Sequence, residues 1–307
     1  MNETLPAAGE RLRALSGVTV LENEPLSAHT SFGIGGPADL LVIPHDPQAL
    51  LAVQSALCEA GVSPIFLGNG TNVLISDAGL RGVVVKLAGG LLGMSANGGT
   101  LTAAAGESLQ AVCHHAAEAG LSGLEFAGGI PGTVGGAVIM NAGAHGGEMA
   151  EVVDWVEVGR AGELVRLSRE DLSFGYRESL VHGGTDAVMR VGLRLTPDTR
   201  EGAHLRICEI LQRRCSKQPV TRRSAGCVFK RPRGDYAGRL VEAAGGKGLR
   251  IGDAAISGKH ANFIVNLGQA RARDVRELIE TVRERVRQRF DVELETEIIM
   301  LGDFSEC

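Results

Sequence analysis

The apolar and polar positions of this chain change period several times, and each change marks an element. Residues 38–43 form a short, nearly continuous apolar run of strand length. Asp46-Pro47 then opens a helix, because Asp caps free amides and Pro suits the first helical position. Leu50, Val53, Leu57 and Ala60 follow at helical spacing, and Gly61 ends the run. Residues 64–67, 81–87 and 100–105 read as strands, the first of them feeding a glycine-bearing loop. A second helix carries Leu109, Val112, Cys113, Ala116 and Ala117 on one face and stops at Gly120. Residues 153–158 and 163–167, joined by GRAG, predict a hairpin, and 187–195 a further strand. The pattern breaks over 197–203, where we expect a domain boundary, giving a larger domain over 22–198 and a smaller α+β domain over 203–302. The last helix, over 274–290, has Val275, Leu278, Ile279, Val282, Val286 and Phe290 on one stripe. Its other face holds Arg273, Arg276, Arg283, Arg285, Arg287 and Arg289 with acids interspersed and no aromatic platform, which reads as a solvated face rather than a nucleic-acid surface.

Composition narrows the classes. With 307 residues, 44% of them hydrophobic and 22% charged, the chain is an ordinary globular protein of one or two domains. A net charge of −5 argues against general affinity for nucleic acid or anionic membranes. The first residues lack a signal-peptide core and no run of about 18 apolar residues occurs, so a cytoplasmic location is expected. The cysteines, Cys58, Cys113, Cys208, Cys215, Cys227 and Cys307, form no CxxC pair and no metal-ligand spacing, and reduced thiols are expected. His114 and His115 are adjacent on a helix and therefore face apart, which disfavours a shared metal. No assembly stripe appears beyond the faces the cores need, so a monomer is expected.

The chemistry concentrates in glycine. Residues 125–148, EFAGGIPGTVGGAVIMNAGAHGGE, hold Gly128, Gly129, Gly132, Gly135, Gly136, Gly143, Gly146 and Gly147 separated by particular small and apolar residues. Glycine lets backbone amides approach a ligand, and successive amides pointing inward suit a pyrophosphate. A second loop of this kind is LGNGTNVL at 67–74, and two such loops suit a dinucleotide; two tight turns under strain are the plainer reading. The common phosphate signatures are absent. Gly246-Lys247 is followed by Gly248, which fails a Walker loop, and Gly68-x-Gly70 continues to Val73 where a Rossmann loop needs Gly or Ala.

The motifs taken together resemble the UDP-N-acetylenolpyruvoylglucosamine reductase family of flavoenzymes. The resemblance rests on HTSFGIGGPAD (29–39), LGNGTNVLISDAGLRGVVV (67–85), GLSGLEFAGGIPGTVGGAVIMNAGAHGGE (120–148), FGYRES (174–179), SAGCVFKRP (224–232), ISGKHANFIVN (256–266) and LETEIIMLG (294–302). These lie in the family's order and span nearly the whole chain. The resemblance implies an α+β protein: an FAD-binding domain of the p-cresol methylhydroxylase/vanillyl-alcohol-oxidase type, then a smaller substrate domain. The short span between FGYR and SAGC looks like the compact form, without the extra substrate-capping insertion. Implied too are non-covalent FAD, NADPH as hydride donor, and a UDP-sugar enol ether that uses the same site after NADP leaves. For FAD it points to Gly68, Asn69, Gly70, Thr71 and Asn72, to Gly129, Ile130, Gly132, Thr133, Gly135 and Gly136, and to Asn141 and Gly143.

Three residues match the family's reactive groups. Arg177 matches the arginine that can hold a substrate carboxylate and stabilise a developing enolate. Glu297 matches the glutamate that assists it, with Glu295 two residues away as the register alternative. Cys227 stands where the family most often has a serine proton donor. A thiol, with a reference pKa of about 8.5, is a better acid than a hydroxyl, although a packed bystander thiol is the alternative. Lys217, Tyr176 and Arg231 resemble substrate contacts, Arg231 standing where Asn is common; His260 and Asn262 lie in a familiar motif without an assigned chemical role. An FAD oxidase of an alcohol or sugar, and a flavin-binding sensor without turnover, are the competing readings.

Overall fold

The computed structural model describes residues 4–181 and 185–305, and within them the chain divides into two compact units. The first comprises residues 1–22, 39–69 and 82–212, the second 23–38, 70–81 and 213–307. The predicted division at 198–203 differs from this in two respects. Helix Arg200–Lys217 begins inside the expected break, and its Ala203 and Ile207 are buried in the first unit's core, which carries the division to 212. Two early segments also belong with the C-terminal part, for reasons visible in the second unit.

In the first unit, a five-stranded antiparallel sheet runs in the order Glu163–Ser168, Val153–Arg160, Ala187–Arg194, Thr100–Ala104, Met94–Asn97. Strand Ala187–Arg194 is central, and its Val188, Val191 and Leu193 are fully buried. The predicted hairpin is present, turning through Ala161 and Gly162, both at positive φ. Helix Leu109–Glu118 buries the predicted face, Leu109, Val112, Cys113, Ala116 and Ala117. A four-stranded sheet in the order Val18–Pro25, Pro37–Pro44, Leu80–Lys86, Ile65–Leu67 carries helix Pro47–Glu59, whose Leu50, Val53 and Leu57 pack on Val42, Val83 and Val85. Asp46 caps that helix as expected, its carboxylate accepting from the Ala49 amide at 2.7 Å.

The second unit closes around helix Ala272–Phe290, which buries Val275, Leu278, Ile279, Val282 and Val286. Phe32, Ile34 and Leu74 join this core, which is why residues from the first third of the chain fold with the last. Strand Val73–Ile75 pairs parallel with Ile299–Leu301, and the Asp77 carboxylate accepts from the Ala272 and Arg273 amides at 2.9 and 3.1 Å. That carboxylate caps the helix and complements its positive end. The arginine face is solvated and paired along the helix, Arg283 with Glu280 and Arg287 with Glu284. A three-stranded sheet, Arg250–Ile251, Ala254–Ile256, Ile264–Asn266, completes the unit. Among the described residues, no helix is long and apolar enough to cross a membrane.

Candidate active site

The glycine loops of the first unit meet directly. A Cβ placed on Gly68 would lie 2.5 Å from Thr133 Oγ1, so only glycine lets the loop after strand Ile65–Leu67 approach the start of helix Val134–Ile139. The hydroxyl of Thr133 caps that helix, accepting from the Gly136 amide at 3.2 Å. The Gly135 amide donates to the Ala105 carbonyl at 2.9 Å. Gly135 and Gly136 thus spend their amides within the unit and contribute shape to the loop. Gly129 is buried at the end of the turn Glu125–Gly129, Ile130 packs on the core, and the Gly132 carbonyl accepts from the Leu109 amide at 3.1 Å.

Arg177 is held in a backbone conformation that few non-glycine residues adopt, at φ +61. Gly175 and Glu178 exchange backbone hydrogen bonds of 3.0 and 3.4 Å, which leaves Tyr176 and Arg177 at the tip of a tight turn. The guanidinium donates to the Gly143 carbonyl at 3.1 Å, and Tyr176 is half exposed beside it. Asn141 braces the turn from below. It is 1% exposed, its Nδ2 donates to the Gly175 carbonyl at 2.9 Å, and its Oδ1 accepts from the Ala150 amide at 2.9 Å. Both ends of this amide are therefore used in fixing the chain around Arg177. A strained residue held by so much surrounding structure is a frequent mark of function.

The second unit holds Cys227 and Glu297. Gly70, at φ +59, has room for no side chain, since a Cβ would lie 2.5 Å from the His29 carbonyl. Ser31 joins two of the sequence motifs: its amide donates to the Gly70 carbonyl at 3.1 Å and its hydroxyl to the Ser224 carbonyl at 2.7 Å. Gly226, at φ +79, turns the chain into half-buried Cys227, and a Cβ on it would come 4.0 Å from the Thr71 carbonyl. After Cys227 the backbone is stapled to the C-terminal strand: the Glu297 amide donates to Val228 O at 2.7 Å and the Lys230 amide to Glu295 O at 2.8 Å. The Asn72 side chain donates to the Glu297 carbonyl at 3.1 Å, and its own carbonyl accepts from Ile299 at 2.9 Å. Glu297 is half-buried, whereas Glu295 is exposed and pairs with Lys230 at 3.3 Å, so the two acids occupy different surroundings.

Electrostatics add one group that the sequence left unnoticed. Burial lowers the Arg214 guanidinium from its ordinary value, and the charges of Cys227 and Cys215 oppose that shift. Arg214 therefore lies within electrostatic reach of the Cys227 sulfur. Arg231 stacks on Tyr236, its guanidinium carbon 4.2 Å from the ring centroid, and Lys217 is exposed at the C-terminal end of its helix. Of the six cysteines, Cys307 lies outside the described residues and the other five form no disulfide. Arg214 was missed as a site residue, Ser31 was noted only as part of the motif at 29–39, and Asn262 was named in its motif without a role.

Residues 38–168 match the model of an FAD binding domain, and residues 218–301 match the C-terminal domain of UDP-N-acetylenolpyruvoylglucosamine reductase. These matches define an FAD-dependent oxidoreductase of α+β fold. The reductase of Rubrobacter xylanophilus is 47% identical over 92% of this chain and 95% of that protein, and reductase 2 of Symbiobacterium thermophilum is 45% identical over 95% and 96%. The crystal structure of the Thermus caldophilus enzyme superposes with a TM-score of 0.79 at 40% identity, covering 93% of this chain and 99% of that one. The chain belongs to the UDP-N-acetylenolpyruvoylglucosamine reductase family.

Proposed function

We propose that this protein reduces UDP-N-acetylglucosamine enolpyruvate to UDP-N-acetylmuramate with electrons from NADPH, a step of peptidoglycan precursor synthesis, and that it does so in the cytoplasm. The residues present suit FAD: the loops of 68–72 and 129–133 present glycine backbone with no side chain able to occupy the space at Gly68. We assign those loops, with Gly135, Gly136, Asn141 and Gly143 as their support, to a non-covalently held cofactor. FAD held there would supply the redox chemistry that links NADPH to C3 of the enol ether.

The chain's own residues handle charge and the proton. Hydride arrival at C3 leaves an electron pair at C2, delocalised into the substrate carboxylate as an enolate. Arg177, pinned by the Gly143 carbonyl and the strained turn, holds that carboxylate and stabilises its growing charge. Glu297 assists in its protonated form. The Cys227 thiol then gives its proton to C2, the C–H bond forming as the S–H bond breaks and its electron pair staying on sulfur. Lys217, Tyr176 and Arg231 contact the substrate.

The observation that supports this reading most is the backbone register holding the Cys227 segment against the Glu297 strand, through Glu297 N to Val228 O and Lys230 N to Glu295 O. An acid and a proton donor for one carbon need fixed relative positions, and this pairing is a way to fix them. The test is NADPH consumption by purified protein with and without UDP-N-acetylglucosamine enolpyruvate. Consumption that depends on the sugar nucleotide, with a product two hydrogens heavier, is expected. Consumption driven equally by oxygen alone would point to an oxidase.

A further inference from the structure

We propose that Asn262 is the positioning residue that sets Cys227 and Glu297 in register, although it reacts with nothing itself. The inference rests on the reading above for the roles of those two residues. Asn262 is 7% exposed, yet every polar group it offers is used. Its Oδ1 accepts from the Phe229 amide at 2.9 Å and its Nδ2 donates to the Phe229 carbonyl at 2.9 Å. Its own carbonyl accepts from the Val228 amide at 2.8 Å. Asn262 thus imitates a neighbouring strand for the two residues that follow Cys227, its side chain holding Phe229 and its backbone carbonyl holding Val228. From the other edge, the same two residues are held by the C-terminal strand, with Glu297 N donating to Val228 O and Phe229 facing Thr296.

The segment is clamped on both edges, and its register cannot slip without breaking bonds on both. Desolvating a primary amide in a core is costly unless it is fully bonded, so an Asn here stabilises one arrangement over others. The loop that presents it is stiff. The Ser257 hydroxyl accepts from the Lys259 and His260 amides at 3.1 and 3.4 Å, and Ser257 N donates to Phe263 O at 2.8 Å. His260 Nδ1 accepts from the Asn262 amide at 3.2 Å, and its ring packs edge-on against Phe263. Burial lowers His260 from the usual histidine range, which keeps Nδ1 free to accept. The motif ISGKHANFIVN thereby gains a purpose: Ser257 and His260 shape the loop, and Asn262 is what it delivers.

The experiment compares full-length, FAD-loaded wild type with Asn262→Ala and Asn262→Asp in two independent readouts. One is the pair of half-reactions followed anaerobically on the flavin. The other is the rate of iodoacetamide alkylation at Cys227 against Cys215 in the same molecule, resolved by peptide mass spectrometry. For Asn262→Ala we expect flavin reduction by NADPH near the wild-type rate, reoxidation by the enolpyruvyl nucleotide slowed roughly 10²-fold as for an ångström-scale misplacement, and a several-fold change in Cys227 alkylation with Cys215 unchanged. Asn262→Asp keeps an acceptor for the Phe229 amide and should fall between. A folded Asn262→Ala protein with wild-type reoxidation and wild-type Cys227 reactivity overturns the proposal, as does equal loss of both half-reactions. If the alanine variant does not retain FAD, the aspartate variant decides by the same criteria. Failure of the wild-type flavin to be reoxidised would instead overturn the assigned reaction, leaving the alkylation comparison to decide the role of Asn262.

Discussion

Removing the Asn141 side chain should loosen the turn that carries Arg177 without touching the guanidinium. Asn141 is 1% exposed and joins the Gly175 carbonyl to the Ala150 amide by two hydrogen bonds of 2.9 Å. Asn141→Ala leaves the buried Ala150 amide unmet, while the Gly175 carbonyl keeps the Glu178 amide, so the first unit should lose about 1–3 kcal/mol. At about 2–4 °C per kcal/mol for units of 150–250 residues, the melting temperature should fall by roughly 2–12 °C. The assay is thermal unfolding of the FAD-loaded protein by circular dichroism and released-flavin fluorescence, followed by both half-reactions well below the transition. Arg177 at φ +61 then has less to hold it, so reoxidation by the sugar nucleotide should slow more than reduction by NADPH. A melting temperature within about 1 °C of wild type would refute the reasoning, since an unmet buried amide cannot cost so little.

Three further outcomes follow from the same geometry. Cys227→Ser should keep substantial turnover, while Cys227→Ala should spare flavin reduction and slow substrate reduction by about 10²–10⁴-fold, the usual worth of a general acid; equal loss of both half-reactions would mark Cys227 as structural. Gly68→Ala puts a methyl 2.5 Å from Thr133 Oγ1, so the variant should purify with little FAD, measured by the flavin-to-protein absorbance ratio, and full occupancy would contradict the close approach. Burial, with a smaller contribution from the charge of Glu125, pushes the Cys113 thiol from 9.0 up to about 12. Between those values the unfolded chain releases a proton that the native protein keeps, so this group makes stability fall as pH rises through that window. Denaturant melts above pH 9 of wild type and Cys113→Ala check it, the variant showing the shallower decline. An equally steep decline in the variant would remove Cys113 as the cause.

Much of the first unit was legible because its elements are local. Asp46-Pro47, the stripe of helix Leu109–Glu118 and the alternation in the Val153–Ser168 hairpin each carry their signal within a dozen residues. Helix Arg200–Lys217 was hidden, since only Ala203 and Ile207 are buried along it and a mostly polar helix looks like a linker. The return of residues 23–38 and 70–81 to the C-terminal unit could not be read either. It rests on the Val73–Ile299 pairing and the Asp77 cap on a helix nearly two hundred residues away, and neither leaves a local pattern. For the site, motifs pointed to Arg177, Cys227 and Glu297 and named Asn72 and Asn141 for the cofactor, but not the bonds these amides make. Asn72, Asn141 and Asn262 each spend side-chain groups on backbone partners 33 to 225 residues distant, which no spacing rule anticipates.

The central claim is that one protein takes hydride from NADPH and delivers it to an enolpyruvyl sugar nucleotide. Following the flavin absorbance anaerobically, first with NADPH and then with UDP-N-acetylglucosamine enolpyruvate, tests it most directly. The account predicts bleaching on the first addition and full recovery of the oxidised spectrum on the second, with UDP-N-acetylmuramate formed one for one. Bleaching without recovery, or purified protein unable to hold FAD, would contradict it.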